Sequence, residues 1–452
     1  MSDNDHIIEP HTRTLHTRRE FLRTSMLGAA ASWTLPVFLQ KTFLTLDAMA
    51  ADSLLQTATG KDSPILVVLQ MAGGNDGLNT VVPFADDAYY AARPVIGLGA
   101  AKVLKINDHI GLHPKLTGLK SLYDEGHLAI LQGVGYPNPN RSHFRSTEIW
   151  QTASDAEKIE THGWLGKYFD SCCKGADPTV GVSIGNDAPQ AFSSPHPVGI
   201  SFSRPEQYRW VNNEKGAAGA NAAEALYRRL NRPESMDTPS VETNTGGSIG
   251  AISGAANHGG STLDFIQRTG LDAQLSSDKV TEIAKKYKAT VDYPRSAIAD
   301  SLSLIARMIA GGLATRVYYV SQGGYDTHTN QVNTHERLMT ELGDAVAAFC
   351  KDLQAQGNFN RVMLMTFSEF GRRVAQNGSN GTDHGAAAPM FVAGGGVKAG
   401  LFGKYPSLTE LNNGDLIYNV DFRSVYATIL ERWLKAPSHL VLGKNFPLLP
   451  LV

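Results

Sequence analysis

The sequence is short of several things, and each shortage excludes something. Cysteine is scarce: 452 residues hold 3, namely Cys172, Cys173 and Cys350. Adjacent cysteines rarely bond to each other, and three are too few for a disulfide framework. One bridge from Cys350 to either neighbour and three buried thiols both stay open. An excess of one charge is also missing. Lys and Arg number 41 against 43 Asp and Glu, a formal net charge of -2 with both signs mixed along the chain. Without a basic stripe, nucleic acid is not an expected partner. Beyond the N-terminal leader no run is long and apolar enough for a bilayer, which takes about 20 residues. Gly394-Gly395-Gly396 lacks the Lys-Ser/Thr of a phosphate-binding P-loop and reads as a tight turn. There is no internal repeat at a solenoid period.

What is present begins at the N-terminus. Thr17-Arg18-Arg19-Glu20-Phe21-Leu22-Arg23 has the form of a twin-arginine export signal, followed by a moderately apolar stretch from Met26 to Leu46. Pro36, Gln40 and Lys41 interrupt that stretch, and Ala48-Met49-Ala50 offers a signal-peptidase site. The expectation is a signal peptide over residues 1–50, removed on export to a periplasmic or extracellular location, with the twin-arginine machinery as a partner. No stable membrane span is expected in the mature chain.

Residues 51–452 read as a single α/β domain. Apolar runs near 65–70, 128–133, 179–184, 315–321, 361–366 and 389–393 alternate with helical segments. This pattern predicts a mostly parallel central sheet flanked by helices. Ile298, Leu302, Ile305, Ile309 and Leu313 recur at helical spacing, and further helices are expected near 331–356 and 421–435. Asn419-Val420-Asp421 supplies a capping segment for the last. Residues 211–261 are rich in Gly, Ala, Asn, Ser and Thr and read as a flexible insertion.

The chemistry sits at the ends of the apolar runs. Open α/β sheets bind ligands in the crevice beyond the strand C-termini. Asp76 follows the first run in Gly73-Gly74-Asn75-Asp76-Gly77, either as a metal ligand or as an ordinary turn residue. Asp326 and His328 follow a later run, and a carboxylate beside an imidazole suits Zn, Mn or Fe. The alternative is a capping Asp and a His bonded to backbone. Glu369 follows the next run, as a ligand or as the partner of Arg372 or Arg373. His384, beside Asp383 and between glycines, precedes the run at 389. Ser142 opens a helix after the irregular loop Gly133–Arg141, as a nucleophile near backbone N–H groups or as a plain N-cap. Arg372 is a candidate for an anionic substrate, because guanidinium forks match phosphate and sulfate. One metal site of Asp76, Asp326, His328, Glu369 and His384 is therefore expected at one end of the sheet.

Taken together, the Arg18-Arg19 signal, Gly73–Asn79, Ser142–Phe144, Gly324–His328, Ser368–Arg372 and Asp383–Gly385 resemble the exported family numbered DUF1501, of the alkaline-phosphatase-like clan. The resemblance spans nearly the whole mature chain. It implies an alkaline-phosphatase-like fold, a divalent metal cofactor (Zn or Mn, one or two ions) and a small anionic substrate. Asp76, Asp326, His328 and His384 look like counterparts of the clan's metal ligands, and Ser142 of its nucleophile. This chain departs from the clan in two places. Asp326-x-His328 is shorter than the usual spacing, and Phe370 stands where a second-site His is expected. The Cys/Ser-x-Pro-x-Arg context of formylglycine sulfatases is absent from the sequence. The resemblance thus implies a metal-dependent hydrolase of a phosphate or related ester. The alternative is an exported binding or scaffold protein with a degenerate metal site.

Overall fold

The computed structural model describes residues 63–174, 176–195, 199–205 and 277–452. The expected signal peptide and the 211–261 insertion lie outside the described residues. Strand β1, Ile65–Met71, is apolar but for Gln70 and buried along its whole length. Such a strand must be covered on both faces. Its alternation sorts Ile65, Val67, Leu69 and Met71 into one core and Leu66 and Val68 into the other.

Among the described residues the sheet has nine strands. After β1 come β2 (Leu128–Gly135), β3 (Gly181–Ile184), β4 (Ile200–Phe202), β5 (Val317–Gln322), β6 (Val362–Phe367), β7 (Ala388–Gly394), β8 (Gly400–Phe402) and β9 (Val420–Asp421). Their spatial order is β8-β2-β7-β6-β1-β5-β3-β4, with β9 also paired to β2. Every pairing is parallel except those of β7, which runs antiparallel to both β2 and β6. The expected mostly parallel sheet is therefore what forms, and each of the six expected runs overlaps a strand, although Thr179 and Val180 belong to a 3-10 turn before β3. The reversed direction of β7 was not foreseen, because an apolar run carries no sign of its polarity.

Helices α1 (Thr117–Asp124), α4 (Ala297–Ala310) and α5 (Gln331–Ala355) close the first core. Helices α2 (His143–Thr152), α3 (Trp164–Cys172) and α6 (Phe422–Thr428), continued by a π-helical turn Ile429–Leu434, close the second. Asp421 caps α6 as expected, accepting from the Arg423 N–H at 2.9 Å. The three cysteines are buried and none is in a disulfide.

Topology now fixes where the loops meet. Met71 pairs with Gln322 and Gln70 with Phe367, so β1, β5 and β6 end level. The segments after them leave from one edge. Because β7 runs the other way, the segment that precedes it arrives at that same edge. Ala388 at its start pairs with Val134 near the end of β2, which brings the loop after β2 there as well.

Candidate metal centre

Close packing of these loops demands residues without side chains. Gly73 has φ +121°, and a Cβ there would lie 2.4 Å from the Asp326 nitrogen. A Cβ on Gly381 would lie 2.3 Å from the carbonyl of His328. Only glycine permits both approaches. A single β-bridge, Arg372 with His384, ties the loop after β6 to the segment before β7.

Three imidazoles and one carboxylate converge where the loops meet. The Nε2 atoms of His328, His384 and His143 lie 3.1, 3.3 and 3.5 Å from Asp326 Oδ1. The Nε2 atoms of His328 and His384 are 2.9 Å apart. One ligand atom each of His143, Asp326 and His384 lie within 4.8 Å of one another, a group that could hold a metal ion, and His328 stands against Asp326 and His384.

The outward nitrogens each face an acceptor. His143 Nδ1 lies 2.9 Å from Glu369 Oε1, and His384 Nδ1 lies 2.8 Å from the Arg141 carbonyl. His328 Nδ1 lies 3.2 Å from Asp383 Oδ1. Carboxylates and carbonyls only accept hydrogen bonds, so each Nδ1 faces a group that favours an N–H there, and Nε2 is the ring nitrogen turned toward Asp326. His143 Nε2 is buried and has no hydrogen-bond partner among the described residues. Burial, with Arg372 and His143 nearby, holds the His384 pKa below the usual imidazole value, against the pull of the Arg141 carbonyl and Asp326. Burial would raise the Asp326 pKa, but hydrogen bonds from Arg372 and His384 outweigh it and bring it down to about 2. An ionised carboxylate among imidazole nitrogens is a donor set suited to a divalent cation.

The structure brings Asp326, His328 and His384 together. Asp76 lies apart from this cluster. It is 1% exposed and forms a buried ion pair with Arg93, Nη1 to Oδ2, at 2.6 Å. Gln331 Nε2 also donates to Asp76, while Gln331 Oε1 accepts from Thr327 at 3.1 Å and Thr382 at 2.6 Å. Asp76 is thus linked through one buried amide to both loops that carry the cluster. Glu369 stands one layer out, buried, accepting from the Gly73 N–H at 2.8 Å as well as facing His143.

Arg372 is fully enclosed. It donates to the carbonyls of Gly73, Gly74, Tyr325 and Thr382, and to Asp326 Oδ1 at 2.7 Å. The side chain has no exposed surface with which to meet a ligand. Phe370 packs its ring 4.6 Å from that of His384 and 4.9 Å from that of His143. Ser142 is the exposed N-cap of α2, and its side chain makes no capping hydrogen bond. It lies between Arg141, which holds His384, and His143.

His143 is the member that sequence reasoning passed over. Its segment drew attention only for the serine before it. The strand-exit logic that selected the other loops applies to it equally, since it opens the first helix after β2.

Over residues 64–444 the sequence matches the family described as Protein of unknown function (DUF1501). The chain belongs to this family. No curated protein matches the DUF1501 chain. Solved structures similar to it include a protein in the alkaline phosphatase superfamily from Vibrio parahaemolyticus. That one has 8% identity and a TM-score of 0.30, over 81% of this chain and 69% of that one. A sulfatase from Pseudoalteromonas sp. is similar at 12% identity and TM-score 0.35, over 86% and 71% of the two chains. The C-terminal periplasmic domain of EcEptC from Escherichia coli, in complex with Zn, is similar at 9% identity and TM-score 0.31, over 77% and 78%.

Proposed function

We propose that this DUF1501 protein is an exported metal-dependent hydrolase acting on a small anionic ester, a phosphate or a related one. The observation that supports this reading is the convergence of three Nε2 atoms on Asp326 Oδ1, each ring with its Nδ1 turned to an acceptor. His143, Asp326 and His384 would hold a divalent ion, Zn or Mn, with His328 beside Asp326 and His384. When bound, such an ion polarises an ester oxygen as a Lewis acid. The chain's own residues do the rest. Glu369 orients His143, and Arg372 fixes Asp326 while tying four carbonyls together. Ser142 offers the hydroxyl beside the cluster as the nucleophile. Asp76 serves the site from behind, through Gln331. The export part of the reading rests on Arg18-Arg19 and Ala48–Ala50.

Metal analysis and turnover of a chromogenic phosphate ester test the reading. Protein from its native host should carry about one ion per chain. Substituting His384→Ala or His143→Ala should remove it, while Ser142→Ala should keep the ion and lose turnover. A wild-type protein with neither stoichiometric metal nor turnover ends the reading. Metal without turnover on any ester would favour the scaffold alternative, which the Phe370 ring and the enclosed Arg372 beside the cluster already support.

A further inference from the structure

Two arginines beside the centre share one acid. Asp415 is 3% exposed. Its Oδ2 accepts from Arg141 Nε at 2.9 Å and from Arg141 Nη2. Its Oδ1 lies 3.7 Å from Arg373 Nε, is buried, and accepts no hydrogen bond among the described residues. Two guanidinium groups against one carboxylate leave one positive charge uncompensated. Both arginine side chains are part-exposed, 39% for Arg141 and 37% for Arg373. The neighbouring Arg372, by contrast, is wholly enclosed.

Both arginines are tied by their backbones to the ligand loops. The Arg141 carbonyl accepts from His384 Nδ1 at 2.8 Å, and Ser142 follows it in the chain. The Arg373 N–H donates to the Asp383 carbonyl at 3.0 Å, one residue before His384. We propose that Arg141 and Arg373, held by Asp415, form an anion clamp that grips a tetrahedral oxyanion presented to the centre. This inference rests on the hydrolase reading and narrows its substrate to esters of phosphate or sulfate. Guanidinium forks match the oxygens of either group, and a fixed fork loses little freedom on binding. Asp415 fixes Arg141 by hydrogen bonds and draws Arg373 only as an ion pair at 3.7 Å.

Calorimetric titration with inorganic phosphate, and separately with sulfate, tests the clamp on metal-replete and chelator-treated protein. Arg373→Gln and Arg141→Gln should each weaken binding of the preferred anion about tenfold or more, with metal content unchanged; Tm should hold in Arg373→Gln, whereas Arg141→Gln, which strips buried Asp415 of its hydrogen-bonded partner, should lower it. Arg373→Lys, which keeps the charge but not the fork, should fall between. Lys120→Gln, on the remote α1, should bind as wild type. The two titrations tell a phosphate site from a sulfate site. The clamp is overturned if both glutamine variants bind like wild type, or if metal-replete wild type binds neither anion. If wild type holds no metal but still binds the anion through Arg373, the clamp stands and the hydrolase reading falls.

Discussion

Glu369 and His143 show how much one side chain's partner decides. A carboxylate at a strand exit reads from sequence as a ligand or as an arginine's partner. In the fold it faces a histidine and a backbone N–H. Carboxylates placed behind a ligating histidine typically contribute 10–100-fold to metal affinity. Glu369→Gln should therefore lower affinity by about that factor while the protein stays folded, as measured by competition with a chromogenic chelator. Unchanged affinity would remove Glu369 from the centre. Position after an apolar run singled out Asp326 and His328, and the glycines around His384 just before the next run singled out that loop; the structure brings the three side chains together. The pairing of Asp76 with Arg93 had no comparable signal. Arg93 ends a short helix 17 residues on, and nothing in the local pattern marks it as buried.

Helix α5 carries the clearest consequence for pH at the level of elements. Its His335 is 2% exposed and packs edge-on against His113 with centroids 5.3 Å apart. Burial, with Arg93 and Arg372 nearby, lowers the His335 pKa to about 4, although Asp76 pulls it upward. Burial and the neighbouring His335 lower that of His113 to about 3. An unfolded chain titrates these rings near 6.5, so between that value and about 4 it binds more protons than the folded one. Stability is then full above pH 6.5 and declines as pH falls toward 4. For His335 alone the loss at pH 5 is on the order of 2 kcal/mol. Urea midpoints at pH 7 and pH 5 should differ by less in His335→Gln than in wild type, and equal differences would refute this account. The helices themselves were readable, since Ile298, Leu302, Ile305 and Ile309 announce their face by spacing. The direction of β7 was not, because strand polarity is set by neighbours far along the chain.

For the molecule as a whole, export is the property that the described residues leave to the leader. Replacing Arg18 and Arg19 with Lys should leave uncleaved precursor in the cytoplasm, seen by fractionation and blotting. Normal processing of that variant would remove the twin-arginine reading. The β1 strand gives this prediction a timetable. It is the first strand of the sheet in the chain, yet it sits near the middle. Both its neighbours are made much later: Tyr319, bonded to Gln70, comes 249 residues on, and β6 follows that. While the ribosome is still at work, β1 has two unpaired apolar edges, which invite association with other chains. No nascent fragment that stops before β6 can complete this sheet. A transporter that threads unfolded chain would carry β1 across with its partners not yet made, whereas one that waits for a folded passenger lets synthesis finish first. On the export reading proposed above, the order of strands favours a transporter that takes the finished, folded chain, with its loops already gathered.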